Sequence, residues 1–504
     1  MKKIFANLYP FLFALYPILE LRNYNIAYVD PASIIRPIVL SFLLTGILWL
    51  VSGLLIRDWD KAGIITTLSM LIFFSYGHVF MQTEVIFGTF LRHRFLILIF
   101  IGLILTAGFY IIRKLKDPKP FINFITVTGG ILVIFSLSRS ILHDLSVYQN
   151  GRQAAERQWP MLEGFDVDAV TQKPDIYLIL LDAYARSDIL KNRLNYDNRA
   201  FLQQLEDMGF YVADCSQSNY PATNISVTSL FYADYHQVPT LFPLYQSLVI
   251  ETVRSLDYKV LTFENYSKGQ FDILEDARLS RNQLTLGQID MTGGLNDFEM
   301  MLLKTSLLRI IYDMPHLIPG LDEEMLQEAE FYEHYQQVHF ILDKLKQLPT
   351  EEGPKFVFAH ILVPHDPFIF TPDGQFHWAE YPIDGYVSNV EFINSHIAPV
   401  VDEIIEQSRI PPVIIIMSDH GPAGVPGDND PEMRMANLNV FYVSDQAKKD
   451  LYETITPVNT FRVIFNNYFG TEYPLLDDRS YYSYRLDEFT PDKIIPNRCE
   501  PSNK

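Results

Sequence analysis

Apolar positions come in long runs up to residue 142 and in short runs afterwards. Five long stretches lie near 4–20, 34–56, 63–82, 94–113 and 121–142. A helix needs about 20 mostly apolar residues to cross the hydrocarbon core of a bilayer. The second stretch (SIIRPIVLSFLLTGILWLVSGLL) and the fourth (RFLILIFIGLILTAGFYII) meet that requirement. Pro10 and Pro17 break the first and Glu20 ends it, and it lacks the small-residue cleavage site of a signal peptide. The third and fifth carry Ser, Thr and Gly, which membrane helices accept where they pack on one another. Residues 1–142 are therefore predicted to form a transmembrane domain of about five helices, and the polar residues 143–173 a linker.

From Pro174 onward the texture alternates. DIYLILL (175–181), YKVLTFEN (258–265), KFVFAHIL (355–362), VIIIM (413–417) and NLNVFYV (437–443) read as strands. Helical patterns fall at 195–208, 245–256, 325–348, 387–408 and 457–468. In 325–348, Phe331, Tyr335, Val338, Leu342 and Leu345 recur at alternating four- and three-residue spacing, a stripe that faces a sheet. Strands alternating with helices predict an α/β domain over 174–504, with a mainly parallel sheet and helices on both faces.

Charge sharpens this division. Residues 1–150 hold 13 Lys+Arg and 7 Asp+Glu, while the remainder carries a net charge of −26. A basic, apolar first third and an acidic remainder match a membrane anchor plus a polar domain, and exclude nucleic acid as a partner. With five spans, Lys2, Lys3, Arg57, Lys61, Arg113, Lys114, Lys116 and Lys119 share one side. Arg22, Arg36, Arg92 and Arg94 share the other. The excess of basic residues marks the cytoplasmic side, so the C-terminal domain is expected outside; an even number of spans would reverse this. Cys215 and Cys499 either form one disulfide or remain two thiols.

Parallel sheets place ligands beyond the carboxyl ends of their strands. The strand 413–417 runs into Ser418-Asp419-His420-Gly421-Pro422, where an acid and an imidazole stand side by side. They are a metal pair or a turn cap followed by a surface histidine. The first strand exits at Asp182, which is a catalytic carboxylate or a helix cap. The 355–362 strand carries His360 and is followed by His365 in a proline-rich turn. Between them lies CSQSNYPATNISVTSL (215–230), whose Ser218, Thr223, Ser226, Thr228 and Ser229 are candidate nucleophiles. A hydroxyl bound to a divalent metal loses its proton readily and needs no histidine base.

The segments LILLDAYARSD, SNYPATNISVTSL, FAHILVPHDPF and MSDHGP, in this order, resemble the alkaline phosphatase/sulfatase superfamily. With apolar spans in front, the chain looks most like the membrane-bound, sulfatase-like branch that holds lipoteichoic acid synthases and lipid A phosphoethanolamine transferases. TPVNTFRVIFNNYFG (456–470) is similar to the closing helix of such proteins. The resemblance implies an alkaline phosphatase-like fold in a multi-pass protein of the cell membrane. It implies Asp182, Asp419 and His420 as metal ligands, Thr223 as nucleophile and fourth ligand, His365 as the residue that binds or protonates substrate, and His360 as a second contributor. The reaction implied moves a phospholipid headgroup, phosphoglycerol or phosphoethanolamine, onto a cell-envelope glycan or lipid-linked acceptor. A hydrolase with water as acceptor and a non-catalytic envelope protein are the alternatives.

The departures from the family carry information. The sulfatase Cys-x-Pro-x-Arg segment is absent and SNYPAT stands in its place, which argues against sulfate esters. Ala183 stands where two-metal relatives have a second Asp, and residues 421–439 contain no His. One divalent ion is expected, manganese, zinc or magnesium.

Overall fold

The computed structural model of the chain describes residues 8–26, 29, 31–87, 93–154, 165–235, 244–263, 273, 275–279, 297–320, 323–483 and 493–499. Residues 4–7 of the first apolar stretch, the basic residues Lys2, Lys3 and Arg92, residues 155–164 of the expected linker and residues 264–265 of the second expected strand lie outside the described residues. The chain forms two compact units, Met1–Asn150 with Leu284–Glu330, and Gly151–Gln283 with Phe331–Lys504. The single domain expected over 174–504 is thus interrupted, because one of its segments folds with the apolar helices.

The first unit holds helices Tyr9–Tyr24, Ile35–Ile56, Trp59–Phe87, His93–Arg113 and Lys119–Ala154. Four are long and apolar enough to cross a membrane, with mean hydropathies of 2.4, 1.6, 2.8 and 2.0 in chain order. The expectation of five spans is corrected at the first helix, whose 16 residues are short of the bilayer core. Only 17% of the Ile35–Ile56 window is buried, which leaves its apolar face for lipid. Trp59–Phe87 is the packed centre, half buried, and its hydroxyls are satisfied internally: Thr66 and Thr67 donate to the Ala62 and Gly63 carbonyls at 2.9 and 3.0 Å. That is how a run with several Thr and Ser tolerates an apolar surround.

The helix Asp297–Thr305 and the turns after it belong to this unit. Phe298 is buried with Ala14, Ile18, Met70, Phe74 and Val133. Glu299 pairs with Arg36 through both carboxylate oxygens. The Leu307 amide donates to the Phe73 carbonyl at 2.7 Å. A Cβ on Gly77 would lie 2.5 Å from the Lys304 carbonyl oxygen, so glycine permits this approach. Asp313 accepts from His93 Nε2 at 2.8 Å and from Arg309 Nε at 2.9 Å. These contacts fall on the first turns of Ile35–Ile56 and His93–Arg113 and on the later half of Trp59–Phe87, which is one common end of the helices.

The second unit is built on a seven-stranded sheet among the described residues. Its strands are β1 (Ile176–Leu181), β2 (Tyr211–Val212), β3 (Lys259–Phe263), β4 (Ala277–Leu279), β5 (Lys355–Ile361), β6 (Val413–Met417) and β7 (Asn439–Tyr442), in the order β2-β7-β6-β1-β5-β3-β4. All five expected strands are present. β6, β1, β5, β3 and β4 run parallel, while β7 is antiparallel to both its neighbours. β1, β5 and β6 are buried along their whole length, as the unbroken apolar runs of β1 and β6 and the apolar stretch Phe356–Ala359 of β5 required. Alternate residues feed two cores. Tyr177, Ile179 and Leu181 face helices Glu323–Gln347 and Pro382–Gln407 through Val338, Leu342, Val390 and Ile397. Ile176, Leu178 and Leu180 face helices Thr223–Tyr232, Leu248–Ser255 and Pro457–Phe469 through Phe231, Val249 and Phe461. Both faces are covered, so ligands can reach the sheet only past strand ends. Cys215 and Cys499 are joined in a disulfide, which decides between the two alternatives left open above.

Candidate active site

Parallel register brings three strand exits to one place. Leu180 in β1 is level with His360 in β5 and with Met417 in β6. Asp182, His365 and the Asp419-His420 pair therefore emerge beside one another. Thr223 joins them as the first residue of helix Thr223–Tyr232, whose chain turns in through extended Ala222.

The distances define a compact cluster. Asp182, Asp419 and His420 are buried, and one ligand atom from each lies within 4.8 Å of the others. His420 Nε2 is 3.2 Å from Asp419 Oδ2 and 3.8 Å from Asp182 Oδ1. Thr223 Oγ1 is 3.2 Å from the same His420 nitrogen. His360 Nε2 lies 2.9 Å from Asp182 Oδ2, behind the carboxylate and buried in β5. The His365 amide donates to the Asp182 carbonyl at 3.1 Å, and its ring centroid is 6.5 Å from that of His420.

The donor set fits a divalent metal. Asp182 Oδ1 and Asp419 Oδ2 are buried with no hydrogen-bond partner among the described residues. Such oxygens are costly unless a cation satisfies them. His420 Nδ1–H donates to the Gly421 carbonyl at 2.8 Å, which fixes the tautomer and turns the Nε2 lone pair toward both carboxylates. Burial lowers the His420 pKa, with Arg434 adding to the effect against the pull of Asp419 and Asp182, which favours the neutral ring that a metal would need. For Asp182, burial raises the pKa, but His365, His360 and His420 outweigh it and hold the carboxyl well below its ordinary range. For His365, burial lowers the pKa, but Asp182 and Asp366 outweigh it and push it up to about 10.

The frame around these groups is rigid. Ala183 takes a left-handed φ of 64°, uncommon for a residue with a Cβ. Its amide donates to Asp419 Oδ1 at 3.3 Å and its carbonyl accepts from the Tyr386 hydroxyl at 2.7 Å. Ser418 Oγ accepts from the Tyr184 amide at 2.8 Å and donates to the His420 carbonyl at 2.6 Å. A Cβ on Gly421 would fall 2.1 Å from the Met433 carbonyl oxygen. Gly421 thus permits a close backbone approach, beyond simply ending the strand.

Among the candidate nucleophiles the geometry discriminates. Ser218, Ser226, Thr228 and Ser229 each donate to a backbone carbonyl, at 3.1, 2.6, 2.6 and 2.7 Å. Thr223 alone of the five faces the His420 nitrogen. Ser226 has a supporting place instead, since its partner is the Asp419 carbonyl.

Two features were not anticipated from the sequence. A cavity of about 580 Å³ opens beside His365, between Asp366, Phe368 and Glu380 and the stacked pair Phe331 and Trp378, whose centroids are 4.9 Å apart. Arg434 Nη2 lies 3.1 Å from His420 Nε2. The available signal was that Arg434 is the one basic residue between 421 and 447.

No family model and no curated protein matches the chain. Solved structures do. The C-terminal periplasmic domain of EcEptC from Escherichia coli, in complex with Zn, matches at 11% identity and a TM-score of 0.44, over 66% of this chain and 95% of that one. The integral membrane protein lipooligosaccharide phosphoethanolamine transferase A (EptA) from Neisseria meningitidis matches at 12% identity and a TM-score of 0.35, over 91% of this chain and 94% of that one. The phosphonate monoester hydrolase of Agrobacterium radiobacter matches at 12% identity and a TM-score of 0.37, over 62% and 80%. At TM-scores below 0.5 these likenesses decide nothing about the reaction.

Proposed function

We propose that the protein is a membrane-anchored, metal-dependent phosphotransferase that moves a phospholipid headgroup through Thr223 to a hydroxyl of a cell-envelope glycan or lipid-linked acceptor. The observation that carries this reading is the Thr223 hydroxyl, 3.2 Å from His420 Nε2 at a helix N-terminus, beside two buried carboxylate oxygens that lack hydrogen-bond partners among the described residues.

Asp182, Asp419, His420 and Thr223 would hold one divalent ion, manganese, zinc or magnesium, which would polarise the phosphoryl oxygens and acidify the Thr223 hydroxyl. Thr223 Oγ1 loses its proton to solvent and bonds to phosphorus, and the bond from phosphorus to the diacylglycerol oxygen breaks. His365 is cationic at neutral pH and gives its proton to that oxygen. Thr223 begins its helix, and a helix N-terminus would favour the anionic phosphoryl group there. In the second half the acceptor hydroxyl gives its proton to His365 and attacks phosphorus, and Thr223 leaves. His360 fixes one oxygen of Asp182 and so orients the other; it acts as a positioning residue.

The extracytoplasmic placement rests on the Cys215–Cys499 disulfide, which suits an oxidising compartment. Four spans put Lys2, Lys3, Arg22, Arg36, Arg92 and Arg94 on one side and Arg57, Lys61, Arg113, Lys114, Lys116 and Lys119 on the other, six against six, so the basic residues favour neither orientation.

The test is to incubate the detergent-solubilised full chain with headgroup-labelled phospholipid and Mn²⁺, then map the label by mass spectrometry. A phosphorylated-headgroup adduct on Thr223 is expected. Turnover with no adduct on Thr223, even under rapid acid quench, would sink the proposal. Release of headgroup at a rate indifferent to added acceptor would assign the hydrolase alternative.

A further inference from the structure

We propose that Arg434 is the residue that recognises the transferred phosphoryl group, donating from its guanidinium to the non-bridging oxygens while Thr223 attacks; this rests on the phosphotransfer reading above.

Three observations carry the assignment. First, Arg434 is held in place by backbone on both sides of the site. Its Nε donates to the Pro221 carbonyl at 2.8 Å, two residues before Thr223, and its Nη1 donates to the Pro422 carbonyl at 3.2 Å, two residues after His420. These two anchors fix the plane of the guanidinium between the nucleophile loop and the metal-ligand loop. A planar fork fixed in this way is suited to the tetrahedral array of phosphoryl oxygens.

Second, the Nη2 donor is directed at the reacting corner. It lies 3.1 Å from His420 Nε2, the same nitrogen that faces Thr223 Oγ1 at 3.2 Å. Because Nδ1–H is committed to the Gly421 carbonyl, Nε2 accepts this bond through its lone pair. That lone pair is what a metal ligand donates. A metal ion held by His420 would use this lone pair, and the Arg434 N–H would then be placed to donate to the anion that enters with the substrate. The group is thus held by the site until the site is loaded.

Third, the charge balance calls for a cation of the protein's own. Asp182, Asp419 and a phosphodiester bring three negative charges, which one divalent ion and a cationic His365 would offset, and attack by the Thr223 oxygen adds a fourth. Arg434 supplies the additional positive charge next to the nucleophile.

The residue is distinct from a metal ligand, and that makes the assignment testable without turnover. The full chain in detergent is loaded with Mn²⁺ and titrated with inorganic phosphate, while Mn²⁺ affinity is measured separately by chelator competition. In Arg434→Gln, phosphate binding is expected to weaken by at least about tenfold, the scale of a lost charge-assisted hydrogen bond. Mn²⁺ affinity should stay within about threefold, since no ligand is lost. Arg434→Lys keeps charge without the fork and should fall between. Arg434→Gly should regain phosphate binding when guanidinium is added at millimolar concentration. Phosphate binding in Arg434→Gln equal to that of the unaltered chain would overturn the assignment. So would a parallel loss of Mn²⁺ and phosphate affinity in all three variants with no guanidinium rescue, which would make Arg434 a staple of the two loops only. If the unaltered chain takes up no Mn²⁺, the phosphotransfer reading fails and this inference fails with it. If it takes up Mn²⁺ and phosphate and the variants do not differ, only the inference about Arg434 fails.

Discussion

Thr223 Oγ1 stands 3.2 Å from His420 Nε2, although 197 positions separate them in the chain. Their meeting depends on two independent features, the carboxyl end of β6 and the N-terminus of helix Thr223–Tyr232. If the hydroxyl is the nucleophile, its removal abolishes transfer and spares the fold. Thr223→Ala is expected to lose at least about a thousandfold in kcat, the scale of a missing covalent route. Thr223→Ser should keep measurable activity and still form the adduct. Quenched-flow mass spectrometry of the peptide carrying position 223 checks both.

Asp182 and Asp419 repel each other without a cation between them, and this gives metal removal a definite sign. The metal-loaded chain should unfold at a higher temperature than the chelated one. The increment is about 4 kcal/mol at a free ion concentration a thousand times Kd. Asp419→Asn should erase the dependence on chelator. It should also make the metal-free protein more stable than the unaltered metal-free protein, because one of two buried carboxylates that repel each other becomes neutral. Calorimetric scans with and without chelator read both effects.

His334 is 2% exposed, and burial lowers its pKa to about 4 from the ordinary 6.5, with His365 adding to the effect. Between those two values the unfolded chain binds a proton that the folded chain excludes. Stability therefore falls as pH drops through 6.5 and levels off below about 4. The loss from this group is on the order of 3 kcal/mol. His334→Gln should remove that component of the slope, measured by denaturant unfolding across the same window.

Glu299 and Arg36 form a buried bidentate pair inside the membrane unit, with side-chain exposures of 7% and 14%. Removing Glu299 takes a bidentate, charge-assisted contact from Arg36, at a cost of about 1.5–3 kcal/mol. Glu299→Ala should therefore expose residues 297–320 to protease in detergent. Glu299→Ala combined with Arg36→Leu should restore much of the protection, which a lost helix contact alone would not allow.

The Cys215–Cys499 disulfide closes a loop of 284 positions. Cys499→Ser is expected to destabilise the second unit by about 2–5 kcal/mol, with the entropic share at the upper end for so long a loop. Thiol titration of the denatured, unreduced chain should detect no free thiol before the substitution and one after it.

Much of this arrangement was legible in the residues. β1 and β6 are short, unbroken apolar runs and β5 is apolar except at Lys355 and His360, so burial on both faces is the way to cover them. Their exits at Asp182, His365 and Asp419-His420 follow from the strand ends. The long apolar stretches likewise declared a membrane unit, since no water-exposed helix carries such a surface. Other features were beyond a linear reading. The choice of Thr223 among five hydroxyls depends on where four of them find carbonyls, which only packing determines. Arg434 enters the site because Gly421 lets the Met433–Ala436 backbone come close, a contact that no spacing in the sequence reveals. Asp297–Thr305 is polar enough to pass for part of the α/β domain, yet its Phe298 and Glu299 are matched by Phe74 and Arg36 from helices more than 200 positions earlier. Local pattern determines which surfaces must be buried and which strands must form. The partners of a lone hydroxyl, guanidinium or carboxylate are decided by the tertiary fold, because a hydrogen bond or ion pair requires a particular atom within about 3 Å, and chain order does not encode that distance.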